Sequence, residues 1–175
     1  MSPMENTKFR IISAETAEHL AIVKCLFTAY VEWLDIDLSY QSFQSELDSL
    51  PGKYAAPVGE LLLAYGGANT PLGCVAVRPL LDQDSQPQES LNMGCCEMKR
   101  LYVSREARGM GLGRALVTAI VQRAKELGYR EMRLDTLPFM RGAIQLYTKM
   151  GFVEINRYYD TPLEDTVFLA LDLTK

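Results

Sequence analysis

Three glycines at alternate positions, Gly109, Gly111 and Gly113, stand between Arg108 and Arg114, and an apolar helical pattern begins at once in "RGMGLGRALV". A helix start offers unpaired backbone N–H groups and the positive end of the helix dipole, which together suit an anion such as phosphate. Glycine removes the side chains that would keep a phosphate away and permits unusual dihedrals. Arg108 and Arg114 could add charge to such a cradle. The same glycines also fit a tight strand-to-helix connection that binds nothing. Two nucleotide signatures fail here: Arg114 occupies the last glycine place of GxGxxG counted from Gly109, and no GK[ST] follows.

Other reactive side chains are sparse. The four cysteines are Cys25, Cys74, Cys95 and Cys96, with no CxxC pair, and His19 is the single histidine. Structural zinc gathers four Cys or His ligands at short spacings, so no metal is expected. Adjacent Cys95 and Cys96 would point to opposite faces of a strand, poor geometry for a disulfide. They read as reduced, buried thiols rather than nucleophiles, since no histidine lies nearby in sequence. His19 reads as a surface or cap residue.

The 175-residue chain suits one domain, expected to span residues 1–175 with 1–7 as a flexible tail. Hydrophobic residues make up 48 % and charged residues 23 %, with a net charge of −4, which disfavours a broad grip on nucleic acid. No apolar stretch reaches the ~20 residues of a membrane span, and the polar start has no signal core, so a cytoplasmic protein without a membrane partner is expected. Between Glu97 and Arg114, five cations (Lys99, Arg100, Arg105, Arg108, Arg114) face two anions (Glu97, Glu106), a local excess of three. That excess suggests a local anionic ligand, or a solvated basic face.

The elements that must position these residues follow from periodicity. "KFRII" (8–12) reads as a strand. Ser13 or Thr16 caps a helix whose apolar residues fall at Leu20, Val23, Phe27, Tyr30, Val31 and Leu34. A shorter helix covers 40–50. Strands at 60–67 and 72–80 form a hairpin about Asn69–Pro71. Residues 82–90 form a loop expected to be mobile. A strand over 94–103 leads into a helix striped by Leu112, Leu116, Ala119, Ile120, Ala124 and Leu127 and stopped by Gly128. Strand 129–137 alternates, with Met132, Leu134 and Thr136 on one face. A helix opened by Pro138 carries Ala143, Ile144, Tyr147 and Met150, and 152–155 and 166–173 are closing strands. The order implies a single α/β domain.

The pattern [RQ]xxGx[GA] is satisfied by Arg108, Gly111 and Gly113. With "CEMKRLYVSREARGMGLGRAL" before and around it, and "GAIQLYTKMGF" (142–152) after it, the chain resembles the GNAT superfamily of N-acetyltransferases. The element order resembles that fold across nearly the whole chain. The first ~60 residues match in layout rather than in motif.

The resemblance implies a GNAT-like fold, a central mixed but mostly antiparallel sheet of about seven strands flanked by about four helices. It implies acetyl-CoA as cosubstrate. Its pyrophosphate would lie on the amides of Arg108, Gly109, Met110, Gly111, Leu112, Gly113 and Arg114, and its pantetheine arm along Leu101, Tyr102 and Val103. The thioester carbonyl would sit near the Leu101 amide. Tyr147 matches the family's general acid toward the CoA sulfur; it also fits a core helix residue. Glu97 falls where the family often places a carboxylate that draws the amine proton through water; it also fits a strand glutamate paired with Lys99 or Arg100. Attack by an amine already neutral needs no base. Met140 stands where many members carry asparagine, so one CoA contact is in doubt.

The acceptor would enter near Tyr30 and Trp33, with Tyr40, Phe43, Glu32, Asp35 and Asp37 around it, a set that could hold a cationic amine or simply pack and be solvated. The expected reaction is acetyl transfer directly to a primary amine of a small molecule or amino acid. A protein lysine or N-terminal acceptor, a non-catalytic acyl-CoA sensor and a homodimer stay open.

Overall fold

The computed structural model of the protein describes residues 8–80 and 94–175. The tail read over 1–7 and the loop read over 82–90 lie outside the described residues.

Among the described residues seven strands and four α-helices follow in order: β1 (Arg10–Ser13), α1 (Ala17–Leu34), α2 (Phe43–Ser49), β2 (Glu60–Tyr65), β3 (Pro71–Pro79), β4 (Cys95–Val103), α3 (Leu112–Glu126), β5 (Glu131–Thr136), α4 (Arg141–Lys149), β6 (Val153–Ile155) and β7 (Val167–Asp172). They build one sheet in the order β1-β2-β3-β4-β5-β7-β6. Every neighbouring pair is antiparallel except β4 and β5.

The run "ELLLAY" of β2 is apolar throughout because both faces of the sheet are covered. Leu62 and Ala64 pack toward α3, with Val75, Val77, Leu116, Val117 and Ile120. Leu61, Leu63 and Tyr65 turn the other way, against Val23, Leu26 and Phe27 of α1 and Leu47 of α2. β5 alternates as expected, burying Met132, Leu134 and Thr136. In α3 the buried residues are Leu112, Leu116, Val117, Ile120 and Ala124, and Gly128 takes φ +93° just beyond the helix.

Local chemistry moves some boundaries. Thr16, not Ser13, caps α1: its side chain accepts from the His19 amide, and His19 Nδ1 accepts from Glu15 and Thr16 amides, so the lone histidine is half of a helix cap. The helix read over 40–50 is broken where Ser42 adopts φ +54°, leaving α2 to start at Phe43. Pro138 lies in a turn closed by the Met140 amide on Leu137 O, so α4 begins at Arg141.

Candidate active site

The site begins where the sheet opens. β4 pairs with β5 only through Cys95–Glu97 and Glu131–Arg133. Beyond these residues β5 continues along β7 alone, and β4 continues along β3. The β4 backbone from Met98 to Val103 thus presents an unpaired edge toward β5, able to take an extended chain as another strand would be taken.

A bulge sharpens this opening. Between Cys74↔Tyr102 and Ala76↔Lys99 the register slips, so Val75 faces two residues, Arg100 and Leu101. Arg100 takes φ +59°, the left-handed conformation of a bulge. The extra residue places Lys99 and Arg100 on the same face, where both reach Gln41 of the α1–α2 connection: Lys99 Nζ donates to its Oε1 at 3.3 Å and Arg100 Nη1 at 2.9 Å. Leu101 and Val103 pack toward α3 instead.

A cleft of about 590 Å³ runs from this edge to the start of α3. Its walls include Leu101, Tyr102 and Val103 of β4, the turn at Arg108, Gly109, Gly111, Leu112 and Gly113, and Met140, Arg141 and Leu146 at α4. Gly109 and Gly111 adopt φ +78° and +82°, which L side chains resist, and a Cβ on either would meet no protein atom within 4 Å. Gly111 is the N-cap of α3 and no side chain satisfies the helix's first N–H groups. The Arg108 and Met110 amides, expected in the cradle, turn back to Arg105 O and Ala107 O at 3.4 Å, which leaves the amides of Gly109 and 111–114 as the turn's main-chain donors facing open space. An acyl-CoA fits this shape: the amides suit its diphosphate, and the β4 edge suits the amide-bearing pantetheine arm.

The cleft meets a small inner chamber at Leu101 and Met140, which line both. The chamber is bounded by Tyr30, Tyr40, Gln41, Lys99, Arg100, Asp135 and Tyr147. Tyr147 is 5 % exposed and packs against Phe152 at 5.6 Å between ring centroids. Burial, with Tyr30 and Asp135 adding smaller effects, pushes its phenol well above the ordinary tyrosine range, so the proton stays on oxygen. Burial likewise pushes Tyr30 up to about 12, against the lowering effect of Arg100.

An outer chamber of about 280 Å³ adjoins it, sharing Tyr40, Gln41 and Lys99 and adding Arg78, Glu97, Tyr158 and Tyr159. Glu97 lies here. It is 2 % exposed, with Oε1 accepting from Arg78 Nε at 3.1 Å and Nη2 at 2.8 Å, and Oε2 accepting from Tyr158 at 2.6 Å. Its partner is Arg78, not Lys99 or Arg100 as the sequence suggested. Asp135 accepts from Tyr159 at 3.0 Å and, at 3.5 Å, from Lys99. Glu46 accepts from Arg100 at 2.8 Å and from Tyr54 at 2.7 Å. Burial alone would raise the Glu46 carboxyl, but Arg100 and Tyr54 hold it below the usual range.

The structure brings together most residues singled out from sequence. Met110 packs against the core and Arg114 is exposed, so neither side chain borders the cleft. Tyr30 reaches the inner chamber, whereas Trp33 lines the cleft, with the Arg108 guanidinium 5.0 Å over its ring. Glu32, Asp35 and Asp37 are exposed and border neither chamber, and Phe43 lies under Arg100. The acidic groups of the site are Asp135 and Glu97 instead. The local charge excess reads differently too: Lys99 and Arg100 are buried and face carboxylates, so Arg105, Arg108 and Arg114 alone are the exposed cations of that stretch. Cys96 is buried and Cys95 half-buried, and burial pushes Cys95 up to about 12 and Cys96 higher, which disfavours the thiolate form of both.

Sequence signals for Arg78, Asp135, Tyr158 and Tyr159 were weak. Asp135 was legible only as the polar side of an alternating strand, and the others lie far from it in sequence. Among the described residues no helix is long and apolar enough to cross a membrane, and no group of three or more His, Cys, Asp or Glu could hold a metal.

Comparison with known proteins agrees with this geometry. A model of the acetyltransferase (GNAT) family matches residues 26–152. An uncharacterized N-acetyltransferase of Schizosaccharomyces pombe is 37 % identical over 98 % of this chain and 99 % of its own length. Another of Dictyostelium discoideum is 34 % identical over 91 % and 97 %. Among solved structures, a GNAT acetyltransferase of Staphylococcus aureus shares the fold with a TM-score of 0.74 at 18 % identity, over 95 % of this chain and 99 % of that one. A Salmonella typhimurium protein solved with its cofactor acetyl-CoA aligns at a TM-score of 0.66 and 19 % identity, over 96 % and 95 %. Fold and relatives together define an acyltransferase. The chain belongs to the GNAT family of N-acetyltransferases.

Proposed function

We propose that the protein transfers an acetyl group from acetyl-CoA directly to a primary amine of a small molecule. The observation that carries this reading is continuity: the glycine turn, the unpaired β4 edge and the chamber beneath Tyr147 form one path, joined at Leu101 and Met140. The Salmonella neighbour, solved with acetyl-CoA, lends the cosubstrate weight.

In this reading the amides of Gly109 and 111–114 hold the diphosphate, and the Leu101 amide polarises the thioester carbonyl. Arg108 supplies charge at the turn. A free alkyl ammonium has a pKa of ~10, so it must lose one proton before its lone pair can attack, and Glu97 draws that proton through water toward the outer chamber and solvent. Nitrogen's second proton becomes acidic once the C–N bond forms and leaves through water, which restores the proton that Tyr147 gives up. The C–N bond forms, the C–S bond breaks, and Tyr147 supplies the proton that the departing sulfur needs. Tyr30 forms the apolar wall facing the amine, and Trp33 lies alongside the arm of the cosubstrate.

The test has two arms. Titration calorimetry should show acetyl-CoA binding, and thiol release should appear with a subset of a primary-amine panel. Binding without release from any amine would make the protein a sensor of acyl-CoA instead.

A further inference from the structure

Three cations border the two chambers: the buried Lys99 and Arg100 and the half-buried Arg78. The two arginines are held in short ion pairs. Arg100 donates to both oxygens of Glu46 and to Gln41, and Arg78 donates twice to Glu97 Oε1. Lys99 is held differently. Its side chain is 6 % exposed, yet its two contacts, 3.3 Å to Gln41 Oε1 and 3.5 Å to Asp135 Oδ1, are longer than the ~2.7–2.9 Å of a charge-assisted hydrogen bond. Its third N–H has no acceptor among the described residues. Burying an ammonium costs several kcal/mol unless strong partners replace water. A lysine so buried and so loosely paired is poised for an anionic acceptor from elsewhere.

The position of Lys99 says where that anion would sit. Lys99 lines both chambers, and in the inner one it stands with Asp135, Leu101 and Tyr147. Asp135 Oδ2 accepts the Tyr159 hydroxyl hydrogen bond, while Oδ1 carries only the stretched contact with Lys99. A positive and a negative end thus lie side by side where the amine must meet the thioester. A diamine or polyamine would press a second cation on Lys99. A compound carrying its own carboxylate next to its amine would satisfy both ends.

We propose that the acceptor is an amino acid or close analogue, with a free carboxylate one or two carbons from the amine. Lys99 binds the carboxylate, and Asp135 accepts an N–H from the amine and turns its lone pair toward the thioester carbon. The acceptor's side chain extends into the outer chamber between Tyr40, Tyr158 and Tyr159. The assignment rests on the acetyl-transfer reading. The carboxylate itself takes no part in bond making: the amine loses one proton, gains the acetyl group, and CoA leaves as the thiol.

The experiment compares matched acceptors in a thiol-release assay with acetyl-CoA: amino acids with polar and aromatic side chains, the amines left by removing their carboxylate, and their α-amides. The expected kcat/KM is at least 30-fold higher for the best acid than for its matched amine and amide. In Lys99→Met that ratio should fall toward one, and Lys99→Arg should recover part of it, with acetyl-CoA binding as the check on folding. Release from the plain amines at equal or higher efficiency would overturn the assignment and leave acetyl transfer standing. A wild-type preference for acids that Lys99→Met retains would overturn the role of Lys99. No release from any amine would remove both readings.

Discussion

Replacing Gly113 with alanine should stabilise the protein and spare its hold on acetyl-CoA, whereas Gly111→Ala should damage both. Gly113 is the second residue of α3 and lines the cleft. A Cβ there would meet Leu146 Cδ2 and Val103 Cγ2 at 3.8 Å, an ordinary contact. Its backbone has no positive φ, so alanine brings no strain. Alanine gains up to about 1 kcal/mol over glycine in a helix, less in the first turn. For a domain of this size each kcal/mol shifts the midpoint by ~2–4 °C, so a rise of about 1–3 °C is expected. The pattern [RQ]xxGx[GA] admits alanine at this place, so Kd for acetyl-CoA by calorimetry should change less than about threefold. Gly111→Ala should behave in the opposite way: alanine at φ +82° costs ~1–2 kcal/mol of stability, and a Cβ there would stand in the open space over the turn, so a 10-fold or greater rise in Kd, about 1.4 kcal/mol, is expected. A Gly111→Ala protein that binds acetyl-CoA with wild-type affinity would refute the reasoning.

Three further outcomes follow from the same geometry. Tyr147→Phe should lower kcat about 10–100-fold while Kd for acetyl-CoA, by calorimetry, changes less than about threefold. Glu97→Gln should lower kcat/KM by a similar factor near neutral pH, and the deficit should shrink as the pH rises toward ~10, where the amine loses its proton unaided. Glu46→Gln should cost about 3–5 kcal/mol in denaturant unfolding, because it leaves the Arg100 guanidinium buried with half its partners. Since the Glu46 carboxyl is held low, its contribution is present above the unfolded carboxylate pKa of about 4.3 and lost as the pH falls through the depressed value, so the gap between the two proteins should narrow in acid.

How much of this could be read beforehand depended on how far apart the interacting residues lie. The α3 stripe, the alternation of β5 and the glycine turn are local, set by spacing within a few residues, and the structure has them where spacing puts them. The bulge at Arg100 was not legible. It depends on β3 supplying one residue where β4 supplies two, and it moves Arg100 onto the face of Lys99. The ion pairs joining Arg100 to Glu46 and Arg78 to Glu97 cross 54 and 19 residues of sequence, so the carboxylate that buries Arg100 and the partner of Glu97 were both out of local view. Trp33 stacks on Tyr30 at 6.4 Å between ring centroids, yet Tyr30 borders the inner chamber and Trp33 the cleft, a division that helical spacing alone does not show.

The central claim is that one path carries acetyl-CoA from the α3 amides to Tyr147, and a crystal structure of the protein with CoA tests it most directly. The diphosphate is expected within hydrogen-bonding distance of amides between Gly109 and Arg114, with the sulfur inside reach of the Tyr147 hydroxyl. A coenzyme seated away from that turn, or a sulfur pointing out of the chamber that holds Asp135 and Lys99, would contradict it.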